Sequence, residues 1–123
     1  MKSKVMLIFP PYSKQAFSSF PPLGIAQLAA HIRSRSPQIK LKIIDFTISN
    51  FTVERLRQEL DAFEPEVLGI SVLTLNAPVG ILIGKIAKQH NPKIMVVMGG
   101  VHATMFPEEC LEVCDIVVRG EGE

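Results

Sequence analysis

The sequence predicts an α/β fold, a doubly wound parallel sheet of five strands with helices on both faces. Three observations carry this reading. Short apolar, β-branched runs alternate with longer stretches of helical periodicity along the whole chain. The short runs are largely continuous, the pattern of strands buried on both faces of a parallel sheet. The helical stretches stop at Ser36-Pro37, Glu64-Pro65 and Asn91-Pro92, each shortly before the next apolar run.

Residues 4–9 form the first run, which Pro10-Pro11 stops, and they predict a strand in the middle of the sheet. The loop that follows, 10–20, is long for a strand-to-helix connection. Pro21-Pro22 opens a helix, since proline is tolerated in a first turn. Ile25, Leu28, Ala29 and Ile32 then fall at i, i+3, i+4 and i+7, one apolar stripe for the sheet. Residues 41–46 are the second strand, with Asp45 near its end. Thr52 is placed as the N-cap of the second helix, Glu54 meets its positive first turn, and Phe51 is placed to staple against Leu56. The buried face of that helix is expected at Val53, Leu56, Leu60 and Phe63.

Residues 67–72 are the third strand. A third helix starts near Ala77 with Pro78 in its first turn, and Val79, Leu82, Ile83 and Ile86 should face inward. Gly80 and Gly84 cost this helix propensity, which points to close packing against a neighbour as the compensation. Residues 94–98 are the fourth strand, and Gly99-Gly100-Val101-His102-Ala103-Thr104 follows as a loop. Pro107-Glu108-Glu109 starts a helix that lasts to about Val113, and 115–118 is the fifth strand. Such a series suits the flavodoxin-like, Rossmann-like order 2-1-3-4-5, wound right-handedly, with its ligand crevice expected at the carboxyl ends of the strands near strands 1 and 3.

Composition narrows the function classes. The chain has 123 residues, 47% hydrophobic and 20% charged, enough for one globular domain. A formal net charge of +1 gives no electrostatic reason to expect nucleic acid or an anionic membrane as partner. No apolar run approaches the roughly 20 residues that span a bilayer. A signal peptide is also missing, so a cytoplasmic location is expected. Cys110 and Cys114 make no disulfide framework and read as core or partly buried thiols. The chain stops at Gly120-Glu121-Gly122-Glu123, just after a strand and with no closing helix. That ending suggests that 1–123 is one domain cut from a longer protein.

In this topology four loops meet at the C-terminal edge: 10–20, 71–76, 99–104 and 120 onward. They bring together hydroxyls, a histidine and bare glycine backbone, where a doubly wound sheet binds its ligands. Several ligands are argued against. G-x-G-x-x-G and a P-loop are absent after the first strand, where Pro-Pro-Tyr-Ser-Lys-Gln stands instead. Ser71 stands near the end of the third strand, where a phospho-accepting regulator would need an aspartate, and no G-x-S-x-G occurs. His102 has no second ligand at metal-binding spacing, and His31 and His90 lie on helices.

A series of motifs carries a resemblance. Phe9-Pro10-Pro11, Pro21-Pro22-Leu23-Gly24-Ile25-Ala26-Gln27-Leu28-Ala29-Ala30, Gly69-Ile70-Ser71, Gly99-Gly100-Val101-His102-Ala103-Thr104, Pro107-Glu108-Glu109 and Arg119-Gly120-Glu121-Gly122-Glu123 come in one order. Together they resemble the N-terminal cobalamin-binding domain of B12-dependent radical S-adenosylmethionine enzymes. That group includes the anaerobic magnesium-protoporphyrin monomethyl ester cyclases and many methyltransferases. Cobalamin domains carry Asp-x-His-x-x-Gly after the first strand, Ser-x-Leu after the third and Gly-Gly after the fourth. Ser71-Val72-Leu73 and Gly99-Gly100 match the last two, while 10–20 contains no histidine. The resemblance is therefore to the subgroup that holds cobalt without a histidine ligand.

The resemblance implies a cobalamin site at Pro11, Tyr12, Ser71, Leu73, Thr74, Gly99, Gly100, Val101, His102, Gly120 and Glu121. In it Gly99 and Gly100 would let the dimethylbenzimidazole tail run close to backbone, and Ser71 and Thr74 would hydrogen-bond the tail. The first loop would lie under the corrin, with Tyr12 toward the lower face of cobalt. His102 would hydrogen-bond the tail or the backbone. S-adenosylmethionine and a 4Fe-4S cluster would belong to a downstream radical domain whose C-x3-C-x2-C is not supplied here. Cys110 and Cys114 do not fill that motif, because Val117 stands in its third position. Two functions remain open: the corrinoid-binding module of a methyltransferase or oxidative cyclase, catalysing nothing alone, and a non-catalytic flavodoxin-like sensor or interaction domain with an empty crevice.

Overall fold

The protein is described by a computed structural model over residues 4–12 and 23–120. The expected helix opening at Pro21-Pro22, most of the 10–20 loop and Glu121 lie outside the described residues. Among the described residues ten elements follow one another: β1 (Lys4–Phe9), α1 (Leu23–Arg35), β2 (Lys40–Asp45), α2 (Val53–Phe63), β3 (Val67–Ser71), α3 (Ala77–His90), β4 (Met95–Gly99), α4 (Val101–Met105), α5 (Pro107–Leu111) and β5 (Ile116–Val117). The five strands make one parallel sheet in the order β2-β1-β3-β4-β5, the expected doubly wound arrangement.

β1 is buried from Val5 to Phe9 because it lies between two strands and under helices on both faces. Its side chains alternate between two cores. Met6 and Ile8 join Leu56 and Leu60 of α2, Ile83 and Ala87 of α3, and Ala103 and Cys110 of α4 and α5. Val5, Leu7 and Phe9 pack on the other face with Ile25 and Ala29 of α1. The α1 face is the less covered one. Gly69, Ser71, Val97 and Gly99 remain partly exposed there, while Leu68, Ile70, Val96 and Met98 on the opposite face are fully buried or nearly so.

Local chemistry sets the helix limits. Thr52 accepts the Arg55 N–H at 2.9 Å as the N-cap of α2, and Glu64 ends that helix in the left-handed region at φ 53°, just before Pro65. Phe51 packs edge-on against Phe46 at a ring separation of 5.0 Å. Val53, expected on the buried face of α2, is 36% exposed at its first turn.

Three other expectations are corrected. Leu82, expected to face inward from α3, is 41% exposed. The glycines let that helix sit down on the sheet instead. A Cβ at Gly80 would touch Pro10, Val72 and Ile70, and one at Gly84 would lie 2.5 Å from Met98. The buried stripe therefore runs through Ala77, Gly80, Ile83, Gly84 and Ala87. Gly99 is not part of a loop but the last residue of β4, paired with Ser71. Residues 101–105 then form α4, and Phe106 (φ −130°, ψ 60°) breaks the chain between α4 and α5, as a residue before proline tends to do. β5 is shorter than 115–118, but the Asp115 N–H to Val96 O and Val118 N–H to Met98 O bonds continue its pairing at both ends (2.9 and 2.8 Å).

Candidate ligand-binding cleft

The open part of the α1 face is a cleft of about 420 Å³ at the carboxyl ends of β3 and β4. One wall is α1, through Gly24, Ile25, Gln27 and Leu28. Leu7, Val97 and Val118 supply apolar surface; the Leu7 side chain leans over Gly69, where a Cβ would lie 2.7 Å from it, and Gly99 leaves the sheet bare beside them. Parallel register places Leu7 beside Gly69, Gly69 beside Val97, and Ser71 beside Gly99. Ser71, Gly100 and Gly120 close the lining. Such a surface suits a flat, mostly apolar group with a few polar atoms at its rim.

The two adjacent glycines do different work. A Cβ at Gly99 would make an ordinary contact with Val118 at 3.8 Å, so there is room for one and nothing in the fold requires glycine here. Gly100 has φ +106°, and a Cβ there would lie 2.6 Å from the Val72 carbonyl oxygen. It is glycine because backbone packs against it. The Val72 N–H donates to Gly99 O at 2.7 Å, and the His102 N–H donates to Val72 O at 3.1 Å. These bonds lock the β3–α3 loop to the β4–α4 turn.

Thr104 ties the same turn to the end of the described chain. Its hydroxyl donates to Gly100 O at 3.0 Å and accepts the Gly120 N–H at 3.0 Å. Arg119 adds a bond from Nε to the Thr104 carbonyl at 3.3 Å. Gly100 and Gly120, both in the cleft lining, are thus held by one hydroxyl.

Of the residues that the sequence places at the site, Ser71, Gly99, Gly100 and Gly120 come together in the cleft. Pro11, Tyr12, Leu73, Thr74, Val101 and His102 are not in its lining among the described residues. Tyr12 packs edge-on against Phe9 at 6.2 Å, and both Tyr12 and Leu73 border the α1-side core. Thr74 is exposed, as are Leu75 (61%) and Val101 (60%), which give this edge of the sheet an apolar surface. His102 is buried: its Nε2 lies 3.2 Å from Glu109 Oε2, and its ring packs on Phe106 at 4.9 Å. Glu121 lies outside the described residues. The thiols are buried as expected, and burial pushes Cys114 up to about 11.

Sequence reasoning did not single out Gln27, Leu28, Gly69 and Val97 as lining residues, nor Asn76 and Thr104 as the side chains that shape the loops. Gly69 sits inside an apolar run, and a glycine there can mark close approach. That signal was readable. Asn76 and Thr104 look like ordinary turn and helix residues until their partners are known.

A doubly wound sheet with a glycine-floored apolar cleft at the carboxyl ends of its strands defines a small-molecule-binding α/β domain. Residues 14–123 match the model of the B12 binding domain, and the chain belongs to that family. Among curated proteins it is 35% identical, over 98% of its own length, to an uncharacterized methyltransferase of Pyrococcus horikoshii, and spans 27% of that protein. To the anaerobic magnesium-protoporphyrin IX monomethyl ester cyclase of Rubrivivax gelatinosus it is 28% identical over 98% of the chain, spanning 22% of the relative. The cobalamin-dependent S-adenosylmethionine radical enzyme OxsB, solved with aqua-cobalamin and S-adenosylmethionine bound, shares the fold. Its TM-score is 0.80 at 19% identity, covering 99% of this chain and 17% of that one.

Proposed function

We propose that this chain is the cobalamin-binding module of a radical S-adenosylmethionine methyltransferase or oxidative cyclase, with radical chemistry supplied by a further domain. The observation that carries the proposal is the cleft itself. Its apolar walls at Leu7, Ile25, Leu28, Val97 and Val118, with the bare backbone of Gly99 in the lining, fit a planar heterocycle such as the base of the cofactor's nucleotide tail. Ser71 and the backbone of Gly99, Gly100 and Gly120 offer polar partners for the sugar and phosphate. Thr74 is left for further polar groups of the tail, and Pro11 and Tyr12 of the first loop for the corrin side. When bound, a corrinoid supplies a cobalt centre able to carry a methyl group or exchange electrons.

In this reading cobalt takes no protein imidazole. Among the described residues no histidine lines the cleft: His102 is held by Glu109, His90 pairs with Asp61 at 2.9 Å, and His31 is on α1. Ligand orientation therefore rests on the grip on the tail.

Titration of the chain with hydroxocobalamin, followed by visible absorbance and calorimetry, tests the proposal. Saturable binding is expected, and Gly99→Leu should abolish it while leaving the far-ultraviolet circular dichroism unchanged. No heat and no spectral change at high micromolar concentrations would instead make the chain a flavodoxin-like interaction domain. Gly100 is unsuited to this test, since its substitution breaks the backbone packing first.

A further inference from the structure

We infer that Asn76 is the positioning residue of the cleft, a buried amide that sets where Ser71 and the Gly99-Gly100 turn stand relative to each other. The inference rests on the cobalamin reading above, and it assigns a role to a side chain outside the cleft lining.

Asn76 occupies the N-cap position of α3, where an asparagine ordinarily accepts an N–H of the helix's first turn. Here its side chain makes no such bond. It is turned back into the loop before the helix and is fully buried. Oδ1 accepts the Leu73 N–H at 2.7 Å, and Nδ2 donates to the Ser71 carbonyl at 3.3 Å. The amide therefore brackets Val72 from both sides along the chain. Val72 in turn is the residue whose N–H and carbonyl grip Gly99 and His102, and against whose carbonyl Gly100 is packed. Pull the bracket away and the Leu73 N–H and the Ser71 carbonyl lose partners that helix capping cannot replace. The Ser71 end of the loop is then free to shift against Gly99, and the two polar rims of the cleft lose their spacing.

Donor and acceptor can be separated. Asn76→Asp keeps an acceptor for Leu73 but sets a carboxylate oxygen against the Ser71 carbonyl. Protonation of that aspartate restores a donor, and its burial favours the protonated form. Asn76→Ala removes both bonds at every pH.

Wild type, Asn76→Ala and Asn76→Asp are compared by hydroxocobalamin titration at several pH values, well below each melting temperature. Wild type is the reference for any pH dependence that all three proteins share. Both variants should bind about ten-fold or more weakly near neutral pH, and only Asn76→Asp should recover toward wild type as pH falls. A variant that binds within about two-fold of wild type, or equal loss in both at every pH, would overturn the assignment. Amide hydrogen exchange of the free wild-type chain is the second measurement, needing neither ligand nor a folded variant. The Leu73 amide should exchange as slowly as the amides of β3, and exchange at the rate of an exposed loop would overturn the bracket. If wild type binds no corrinoid, the cobalamin reading fails while the exchange result still judges Asn76.

Discussion

At Gly100 the backbone holds φ +106°, and its missing Cβ would lie 2.6 Å from Val72 O. At Gly99, one residue earlier, a Cβ would make an ordinary contact at 3.8 Å. The two positions should respond in opposite ways to the same small substitution. Gly100→Ala forces both an unfavoured backbone region and a backbone clash, and should cost about 3 kcal/mol or more in urea unfolding. Gly99→Ala should stay within about 1 kcal/mol of wild type, since a strand residue gains from a Cβ when there is room for it. Equal losses at both positions would mean that Gly99 also serves the backbone, and its place as the open floor of the cleft would fall.

Between elements, Asp115 does the work of a clasp. Its carboxylate accepts the Val96 N–H at 2.8 Å and pairs with Lys88 at 2.9 Å. Lys88 also donates to the carbonyls of Pro92 and Ile94, so α3, the turn into β4 and the start of β5 share one cation. The Val96 N–H, and after it Lys88, hold the Asp115 carboxyl below its ordinary range. A folded pKa lower than the unfolded one stabilises the protein above the unfolded value of about 3.9, and that contribution is lost as pH falls through the lower folded value. Asp115→Ala should therefore destabilise by about 1 kcal/mol at neutral pH, a modest figure because the side chain is 40% exposed. The gap between wild type and variant, read from urea midpoints, should stay level through neutral pH and close below about pH 3.9. A gap that persists undiminished in strong acid would show that the loss is not the carboxylate's.

For the whole molecule, the consequential feature is unequal cover of the two sheet faces. α2, α3, α4 and α5 bury one face, while α1 packs over β1 and β2 and leaves the carboxyl ends of β3 and β4 open among the described residues. A ligand in that opening completes the cover, and whatever binds only the folded chain stabilises it. Hydroxocobalamin at a hundred-fold excess over its Kd should add about 2.7 kcal/mol to unfolding stability and raise the melting temperature. Gly99→Leu should melt near wild type without ligand and show no rise with it. A rise in both would place the cofactor elsewhere on the surface.

The sequence by itself determined the fold: five apolar runs, the helical stripes and the proline stops led to the parallel order 2-1-3-4-5, because strand burial and helix periodicity are written in local spacing. It also marked Ser71, Gly99, Gly100 and Gly120 at one edge, where the chain's topology brings strand ends together. Boundaries were less legible where a long-range contact outweighed local pattern, as at α3, whose glycines seat it on Met98 and turn Leu82 outward. What only the tertiary structure decided was which glycine is open floor and which is backbone packing, and that Asn76 and Thr104 act across loops. Those roles depend on partners that are distant in the chain or turned away from the local helix, and no local spacing records them.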